Sequence, residues 1–546
     1  MTGERGPHHV EATEPLLGAL RADLGPWTVD AVEELLGPVA AAALHREQAL
    51  PALRALGEEP GAPDGGGARP GTLPLADPVA TLVRAFMLGR PVPRRDLDRA
   101  LPRLTTDDAE RLGLVAAAGA GDDDAVHARV DLRPYRADDA HGTVDWWLAS
   151  DLGELATGRA LRPDHVLGVG GASTTLAQVT VRTPRRRTLD LGTGCGIQAL
   201  HAARHSGAVV ATDVSARALA FARFNAALAG ATLDLRRGSM LEPVTGETFD
   251  LVVSNPPFVI TPRAVADRDG PGASSSRRAG LPRYEYRDGG RAGDDLVADL
   301  VREVGDVLAP GGVAQLLANW EHRRGEDWRE RVGAWLDASG LDGWVVQREV
   351  QDPAQYAETW LRDGGLTAER DPGAWAAAYG AWLDDFAVRD VEAVGFGFVL
   401  LRRPADPADR RRPRLRRLEE RTGPVRQPLG AHLAAALAAH DLLAADDDAL
   451  LAWAFTVAPD ITEERHLVPG SVDPTVVLLR QGGGFGRVVQ AGTALAGLVG
   501  ASDGELTVGQ ILGGIGALLG VPVDALRAEL VPQVRELVAD GFLLPG

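Results

Sequence analysis

LDLGTGCGIQAL, residues 189–200, runs from an apolar segment through three closely spaced glycines into a helix-forming segment. Glycine lacks a β-carbon, so Gly192, Gly194 and Gly196 allow a sharp turn and let a ligand lie against the backbone. The helix that follows presents free amide groups at its start. The order of strand, glycine-rich turn and helix therefore predicts a ligand site at the end of a buried strand, although dinucleotide-binding folds use a similar turn.

Two aspartates accompany the glycine-rich turn. Asp190 lies at the strand end before the glycines, and Asp213 ends the next apolar run, AVVATDVS, 23 residues later. A carboxylate at the position of Asp213 can accept hydrogen bonds from both hydroxyls of a ribose, and dinucleotide enzymes also carry an acidic residue near this spacing. The alternative role for Asp213 is to cap the helix predicted over 216–229, which Ser215 can do equally well.

Residues from about His165 to Arg403 alternate short apolar runs with helical patterns. This alternation is typical of a parallel sheet that is covered by helices on both faces, so the predicted fold class is α/β. A helical insertion at about 354–386 precedes the last strand. The predicted strands are Arg187–Leu191, Ala208–Asp213, Thr232–Arg236, Phe249–Ser254, Val313–Ala318, Trp344–Val350 and Val394–Arg402.

The segment FDLVVSNPPFVITP, residues 249–262, joins an apolar strand to the tetrapeptide Asn-Pro-Pro-Phe, NPPF. The two prolines stop the sheet and stiffen the loop because neither has an N–H for the strand ladder. If the Asn255 side-chain oxygen and the Pro256 carbonyl accept the two hydrogens of a planar amino or amide group, its nitrogen becomes a better nucleophile, and Phe258 can stack on the planar group. The alternative is a strand-ending turn with an exposed phenylalanine. The position of NPPF on the fourth strand favours a crevice shared with the glycine turn.

These motifs make residues from about 165 to 320 similar to the amino-methylating branch of class I S-adenosylmethionine-dependent methyltransferases. NPPFVITP especially resembles the HemK-type release-factor glutamine methyltransferases, and YRDGGRAGDDLVADLV, residues 286–301, resembles the Gly-Gly segment of that family. The small-domain ribosomal RNA guanine methyltransferases also use NPPF. The resemblance implies a Rossmann-like sheet of seven strands and S-adenosyl-L-methionine as the cofactor.

The resemblance also implies roles for individual residues. Asn255, Pro256 and Phe258 take the catalytic and substrate-binding roles. GSMLEPV, residues 238–244, stands where the family often has Gly-Asp, so Ser239 takes the place of the acid, and its hydroxyl can still accept a hydrogen bond from the adenine amino group. The expected cofactor contacts are Thr175, Asp190, Gly192, Gly194, Gly196, Asp213, Ser239, Met240 and Asn255.

Two of these assignments need comment. The Asp190 carboxylate can accept from the methionyl amino group of the cofactor, either directly or through water. Thr175, in GGASTTLA, matches a hydroxyl near the cofactor in this family, but an N-terminal helix cap explains it equally well.

The flanking regions predict further domains. A helical segment over 1–58 and a Gly- and Pro-rich linker over 59–72 precede a winged-helix-like domain over 73–160, which includes a strand at 126–132. The methyltransferase domain is expected over 161–403, with its helical insertion over 351–392, and the segment 404–427 has the composition of an exposed linker. A smaller α+β, winged-helix-like domain is expected over 428–546, with a hairpin at 476–489 and a capping box formed by Thr507 and Gln510.

Composition narrows the function classes. The chain has a formal net charge of −19, so contact with RNA or DNA would need a local basic surface such as the arginine-rich insertion over 263–283. The single cysteine, Cys195, excludes an internal disulfide and a multi-cysteine zinc site, and no metal site is expected. The longest apolar stretches are shorter than a bilayer span, so a cytoplasmic location without membrane contact is expected.

The sequence therefore predicts an S-adenosylmethionine-dependent N-methyltransferase that acts on a nucleobase amine of RNA or DNA or on a protein glutamine amide. One alternative is a binding or regulatory protein that keeps a methyltransferase-like scaffold and recognises a partner through its winged-helix-like domains. A hydride-transferring dinucleotide enzyme is a third hypothesis. Dimerisation of two copies through a terminal domain is a further expectation.

Overall fold

The computed structural model describes residues 12–58, 77–139, 141–159, 161–263, 284–406 and 413–546. Helices occupy the first of these ranges, and Thr28 caps the second helix by accepting from the Ala31 N–H at 3.1 Å. The predicted linker over 59–72 lies outside the described residues. The helices are α1 (Glu14–Leu24), α2 (Val29–Leu36), α3 (Pro38–Leu44) and α4 (Ala49–Ala55).

The next unit contains a small sheet of strand order β1-β3-β2 and a separate hairpin, β4-β5. The single strand predicted over 126–132 is wrong, because β3 ends at Ala128 and a new strand begins at Asp131. The elements are α5 (Pro78–Leu82), which continues as a π-helical turn, β1 (Val92–Pro93), α6 (Arg94–Ala100), α7 (Thr105–Arg111), β2 (Val115–Ala117), β3 (Ala125–Ala128), β4 (Asp131–Asp139) and β5 (Gly142–Ser150).

The central region alternates strands and helices as the sequence predicts. Its two insertion helices begin with an aspartate cap followed by proline: Asp352 accepts from the Gln355 N–H at 2.8 Å, and Asp371 accepts from the Ala374 N–H at 2.9 Å. The elements are α8 (Glu154–Thr157), α9 (Gly171–Val179), β6 (Arg185–Leu191), α10 (Ile197–Ala203), β7 (Ser206–Asp213), α11 (Ala216–Leu228), β8 (Asp234–Arg237), β9 (Phe249–Ser254), α12 (Asp295–Glu303), β10 (Leu308–Arg323), α13 (Trp328–Ser339), β11 (Asp342–Gln351), α14 (Pro353–Asp363), α15 (Pro372–Val388), β12 (Val391–Arg402) and β13 (Arg416–Glu420).

In the described part of the chain, the central sheet has the strand order β13-β11-β12-β10-β9-β6-β7-β8. Strands β6 to β10 run parallel to their neighbours within this set, and β12 runs antiparallel to β10 and β11. This order confirms the Rossmann-like α/β class. Strand β10 is longer than predicted because its second half continues past the end of β9 and pairs with β12 as far as Arg323.

The segment 404–427 is not wholly an exposed linker, which corrects the prediction. Residues Arg416–Glu420 form β13 and pair in parallel with β11 from Gly343 to Gln347, so they add an eighth strand at the edge of the sheet. This strand is mostly charged, so it lacks the alternation of apolar residues by which a strand is predicted from sequence. It forms because it pairs with β11 in the folded protein.

The last described range holds two small sheets and five helices. Thr507 Oγ1 accepts from the Gln510 N–H at 3.3 Å and Gln510 Oε1 accepts from the Thr507 N–H at 2.9 Å, so the predicted capping box is present. The elements are α16 (Gly430–Leu442), α17 (Asp447–Leu451), β14 (Ala454–Val457), β15 (Ile461–His466), β16 (Val476–Gln481), β17 (Val488–Ala491), α18 (Thr493–Gly500), β18 (Asp503–Thr507), α19 (Val508–Leu519), α20 (Val523–Ala539) and β19 (Leu543–Pro545). Among the helices of the described ranges, none has the length and apolarity needed to cross a bilayer.

The cores explain how the sheet is held. One cluster of buried side chains joins the N-terminal helices and Trp27, which lies between α1 and α2, to Phe221 and Phe224 of α11. The N-terminal region therefore packs against the helices that follow the glycine turn. Two further clusters cover opposite faces of the central sheet, one around Trp320 and one around Trp344. Strand β9 contributes side chains to both of these clusters, and the second face of β7 packs against α10, so the carboxyl ends of β7 and β9 are held by packed layers on both sides.

Candidate active site

The carboxyl ends of β6 and β9 lie side by side. Leu191 pairs with Ser254, and the Ser254 hydroxyl donates to the Leu191 carbonyl oxygen at 2.7 Å. The next residue along each chain is Gly192 on one side and Asn255 on the other. The structure thus brings the start of the glycine turn next to the start of NPPF, as parallel strands with a common edge require.

The glycine turn opens toward solvent at two of its three glycines. Gly192 has φ +74° and Gly194 has φ +54°, and a β-carbon added at either residue would meet no atom within 4 Å. The N–H groups of Gly192 and Thr193 both donate to the Thr212 carbonyl oxygen at 2.9 Å. This tight turn therefore leaves a cradle along its outer side in which a ligand can approach the backbone closely.

Gly196 faces a different environment from the other two glycines, and its contact with a cofactor stays a prediction. It is buried at φ +91°, and an added β-carbon would lie 3.1 Å from Cα and Cβ of Ala222 on α11. Glycine is needed here because the turn packs closely against a helix.

Asp190 lies beneath the turn and is only 1% exposed. Its Oδ2 accepts from the Thr193 hydroxyl at 2.6 Å and from the Ala199 N–H at 2.9 Å, so the carboxylate joins β6 to the turn and to α10. Burial raises the pKa of Asp190 to about 7, and the nearby charge of Asp213 acts in the same direction. These contacts give Asp190 a bracing role below the cradle, and a direct contact with a ligand amino group stays a prediction.

Asp213 ends β7 at the side of the cradle and is partly exposed. Its Oδ2 accepts from the Gly194 N–H at 3.0 Å and its Oδ1 accepts from the Ser215 N–H at 2.9 Å, while Ser215 itself makes no side-chain cap. Burial is the main cause that raises the pKa of Asp213 above its usual value. Each carboxylate oxygen keeps a further lone pair, so Asp213 can still accept from ribose hydroxyls.

Ser239 and Met240 follow β8 beside Asp213. The neighbouring Gly238 N–H donates to the Asp213 carbonyl oxygen at 3.1 Å. Ser239 is exposed, and Met240 adopts φ +48° with a half-buried side chain. Both residues therefore lie close to the end of β7 at Asp213, and their contact with a cofactor stays a prediction.

The NPPF tetrapeptide continues from β9 as a tight loop. The Phe258 N–H donates to the Pro256 carbonyl oxygen at 2.7 Å, which leaves that oxygen one further lone pair. Phe258 is half-buried, and Asn255 is partly exposed. Within the described ranges, no group hydrogen-bonds to the Asn255 side chain, so its amide is available to a ligand.

The Gly-Gly segment packs back onto this loop. Phe258 forms a β-bridge with Asp288, and the Val259 N–H donates to the Arg287 carbonyl oxygen at 3.0 Å. A β-carbon at Gly289 would lie 2.8 Å from the Pro257 carbonyl oxygen, so the backbone approach requires glycine there. The two sequence motifs are therefore parts of one structure.

Thr175 lies in the middle of α9 and its side chain is exposed. The cap of this helix is Gly170, so the cap explanation for Thr175 is wrong. The helix does reach the turn region, because the Ser173 carbonyl oxygen accepts from Gln198 Nε2 of α10 at 2.7 Å. A contact between Thr175 and a cofactor stays a prediction.

Sequence reasoning missed Asn225, which is fully buried on α11. Its Nδ2 donates to the Cys195 carbonyl oxygen at 2.8 Å, and its amide also exchanges two hydrogen bonds with the Ala149 backbone of β5. Asn225 thus ties the glycine turn to the preceding hairpin. The available signal was a single amide side chain within the apolar helix AFARFNAALA.

The residues present fit S-adenosylmethionine. The open side of Gly192 and Gly194 can take its methionyl portion, and the half-exposed Asp213 carboxylate can take its ribose. Asn255 follows Ser254, which pairs with Leu191 at the start of the turn. Its side chain can therefore contact an acceptor that lies next to the bound cofactor.

Parts of the chain are similar to known proteins. The family model described as the methyltransferase small domain matches residues 168–267, and a domain of unknown function, DUF7059, matches residues 25–129. The release factor glutamine methyltransferase of Deinococcus radiodurans is 39% identical over 137 residues, which are 25% of this chain and 46% of that protein. The ribosomal protein uL3 glutamine methyltransferase of Bradyrhizobium diazoefficiens is 30% identical over 176 residues, 31% of this chain and 53% of that protein.

The chain thus spans about half the length of these two relatives. Among solved structures, a methyltransferase from Pyrococcus furiosus aligns over 42% of this chain and 81% of its own, with 16% identity and a TM-score of 0.25. Residues 168–267 thus match the methyltransferase small domain, and this part of the chain is similar to release factor and ribosomal protein glutamine methyltransferases.

Proposed function

We propose that this protein transfers a methyl group from S-adenosylmethionine to a planar nitrogen, and that the acceptor is the side-chain amide of a glutamine in a protein. The observation that carries the proposal is the pairing of Leu191 with Ser254, which places Asn255 beside the open glycine turn. The names of the two relatives above support a glutamine amide over a nucleobase amine.

When bound, S-adenosylmethionine supplies an electrophilic methyl group on a positively charged sulfur. The protein's part is to hold and activate the nitrogen that receives it. An amide nitrogen is a poor nucleophile because its lone pair is delocalised into the carbonyl group. Asn255 Oδ1 and the Pro256 carbonyl oxygen accept the two amide hydrogens, which draws the nitrogen out of conjugation and turns its lone pair toward the cradle.

Phe258 and the loop backbone complete the acceptor site. The half-buried Phe258 ring packs against buried clusters of the central sheet and its backbone is held by the bridge to Asp288, so the ring can stack on the planar amide without first being ordered. Pro256 and Pro257 have no N–H and restricted backbone angles, so the acceptor groups stay in place during the reaction. This rigidity favours catalysis by positioning.

Labelled cofactor tests the proposal directly. The purified protein is incubated with methyl-labelled S-adenosylmethionine and separated protein, RNA and DNA fractions of a cell extract. Label in a protein band, found by mass spectrometry as N-methylglutamine, is the expected result. Label in RNA or DNA, or in a different amino acid, would overturn the assignment of the acceptor.

Asn255→Ala tests the mechanism itself. The variant should lose at least about a hundredfold in methyl transfer, and its loss of cofactor affinity should be much smaller, because Gly192, Gly194 and Asp213 are unchanged. Arg186→Ala is the matched control, because Arg186 is strongly exposed at the start of β6. Methyl transfer that persists undiminished in Asn255→Ala would remove Asn255 from the reaction, whereas a wild type that transfers no label would favour the scaffold hypothesis.

A further inference from the structure

The helical insertion contacts the chain directly downstream of NPPF. Tyr356 of α14 is fully buried, and its hydroxyl oxygen accepts from the Ile260 N–H at 2.9 Å. The same oxygen lies 2.8 Å from Nδ2 of Asn319, a fully buried residue of β10. One hydroxyl therefore joins the insertion, the central sheet and the backbone two residues beyond Phe258.

The Tyr356 ring has little freedom to move. Trp382 and Phe386 of α15 each lie 5.6 Å from it between ring centroids, and Phe396 of β12 lies at 5.5 Å. Val259 and Ile260 belong to the same buried cluster. Close packing on all sides gives the hydroxyl a defined position.

The backbone donors of the loop show why this position matters. Pro256 and Pro257 have no N–H, the Phe258 N–H is used within the loop, and the Val259 N–H bonds to the Arg287 carbonyl oxygen. Ile260 is the first residue after these to be held by a side chain, and that side chain comes from the insertion. A buried N–H needs a partner, so loss of the hydroxyl would release the loop at this point.

Asn319 holds the other side of the hydroxyl oxygen. Its Nδ2 donates to this oxygen at 2.8 Å, so the oxygen accepts from both the Ile260 N–H and the Asn319 amide. Asn319 thus forms the second half of the same clamp.

We infer that Tyr356 is a positioning residue for methyl transfer, acting through its hydrogen bond to Ile260 to hold NPPF against the glycine turn. The inference rests on the proposed function. The helical insertion then has a positioning role in the reaction, although α14 begins nearly a hundred residues after Asn255.

Tyr356→Phe is the test, with Thr188→Val as the control. Tyr356→Phe keeps the packed ring and removes only the hydroxyl. Thr188→Val also removes a buried hydroxyl, one that lies 2.7 Å from Ser206 Oγ between β6 and β7 and has no contact with the loop. Tyr356→Phe loses two hydrogen bonds and Thr188→Val loses one, so both variants carry the general cost in stability of removing a buried hydroxyl.

The kinetic result separates positioning from stability. In Tyr356→Phe the single-turnover rate constant should fall by about tenfold to a hundredfold, with the cofactor Kd and the acceptor KM changed by less than about twofold. Thr188→Val should keep the wild-type rate constant. An unchanged rate in Tyr356→Phe, or equal losses in the two variants, would overturn the inference.

Hydrogen exchange gives a second readout that needs no substrate. Amide exchange in a peptide covering 258–262 should be faster in Tyr356→Phe than in the wild type and unchanged in Thr188→Val. Equal exchange in all three proteins would show that the hydroxyl does not hold the loop. Failure of the proposed function is a separate result, since it is the wild type that would then transfer no label.

Discussion

The Ser254 hydroxyl donates to the Leu191 carbonyl oxygen at 2.7 Å, and this bond joins the last residue of β9 to the last residue of β6. Ser254 is fully buried, so the bond is made away from water. Because Gly192 and Asn255 follow directly, the bond sets the spacing between the turn and NPPF. The two parts of the proposed site are thus linked at a single point.

Ser254→Ala should weaken this link. The variant leaves a buried carbonyl oxygen with one bond fewer, so the free energy of unfolding should fall by about 1 kcal/mol. The methyl-transfer rate should fall further than that of Thr188→Val, which has a similar cost in stability. Urea unfolding and single-turnover assays check the two effects. A rate that matches the Thr188→Val control would contradict the role given to Ser254.

The glycines of the turn should respond differently to alanine. Gly196→Ala places a β-carbon 3.1 Å from Ala222 in addition to its strained φ of +91°, so its free energy of unfolding should fall by about 2 kcal/mol or more. Gly192→Ala meets open space, so its loss of stability should be smaller and its main effect should be on cofactor affinity. Denaturant unfolding and calorimetric titration measure these quantities. Equal stability losses would contradict the packing role of Gly196.

Asp213 and Ser239 should have separate effects on cofactor affinity. Asp213→Asn keeps one accepting oxygen and loses the charge, so the Kd should rise by about tenfold to a hundredfold. Ser239→Asp restores the acid that the HemK-type family carries, so the Kd should fall by a few fold, about 1 kcal/mol. Isothermal titration measures both. Tighter binding in Asp213→Asn would exclude the ribose role.

The pH dependence of stability should carry the signature of Asp190. The pKa of Asp190 is about 7 in the folded protein and near its ordinary value of about 3.9 in the unfolded chain. Between these values the folded state keeps the proton that the unfolded state has lost, so the free energy of unfolding should fall as the pH rises from about 4 to about 7 and level off above.

Asp190→Asn cannot ionise and is the control for this effect. Its free energy of unfolding should depend less on pH across the same window. The free energy of unfolding of the wild type should therefore fall relative to that of the variant as the pH rises to about 7. Urea unfolding at several pH values gives the difference. A constant difference between the two proteins would show that the Asp190 carboxyl does not titrate in this window.

The local sequence predicted those parts of the site that each lie within one continuous segment of the chain. The strand, turn and helix of LDLGTGCGIQAL, the strand end at Asp213 and the NPPF loop all lie where the pattern places them, because each depends on residues close together in the chain. Parallel strands share a carboxyl edge, so the meeting of Gly192 and Asn255 also follows from the order of the strands.

Tertiary contacts decided the rest. The strand Arg416–Glu420 forms because β11 offers an edge, and Gly196 has no room for a β-carbon because α11 crosses the turn. Tyr356 reaches Ile260 from 96 residues away. Hydrophobic period and turn chemistry act over a few neighbours, whereas edge pairing, close helix packing and buried hydrogen bonds depend on which distant surfaces the folded chain brings together.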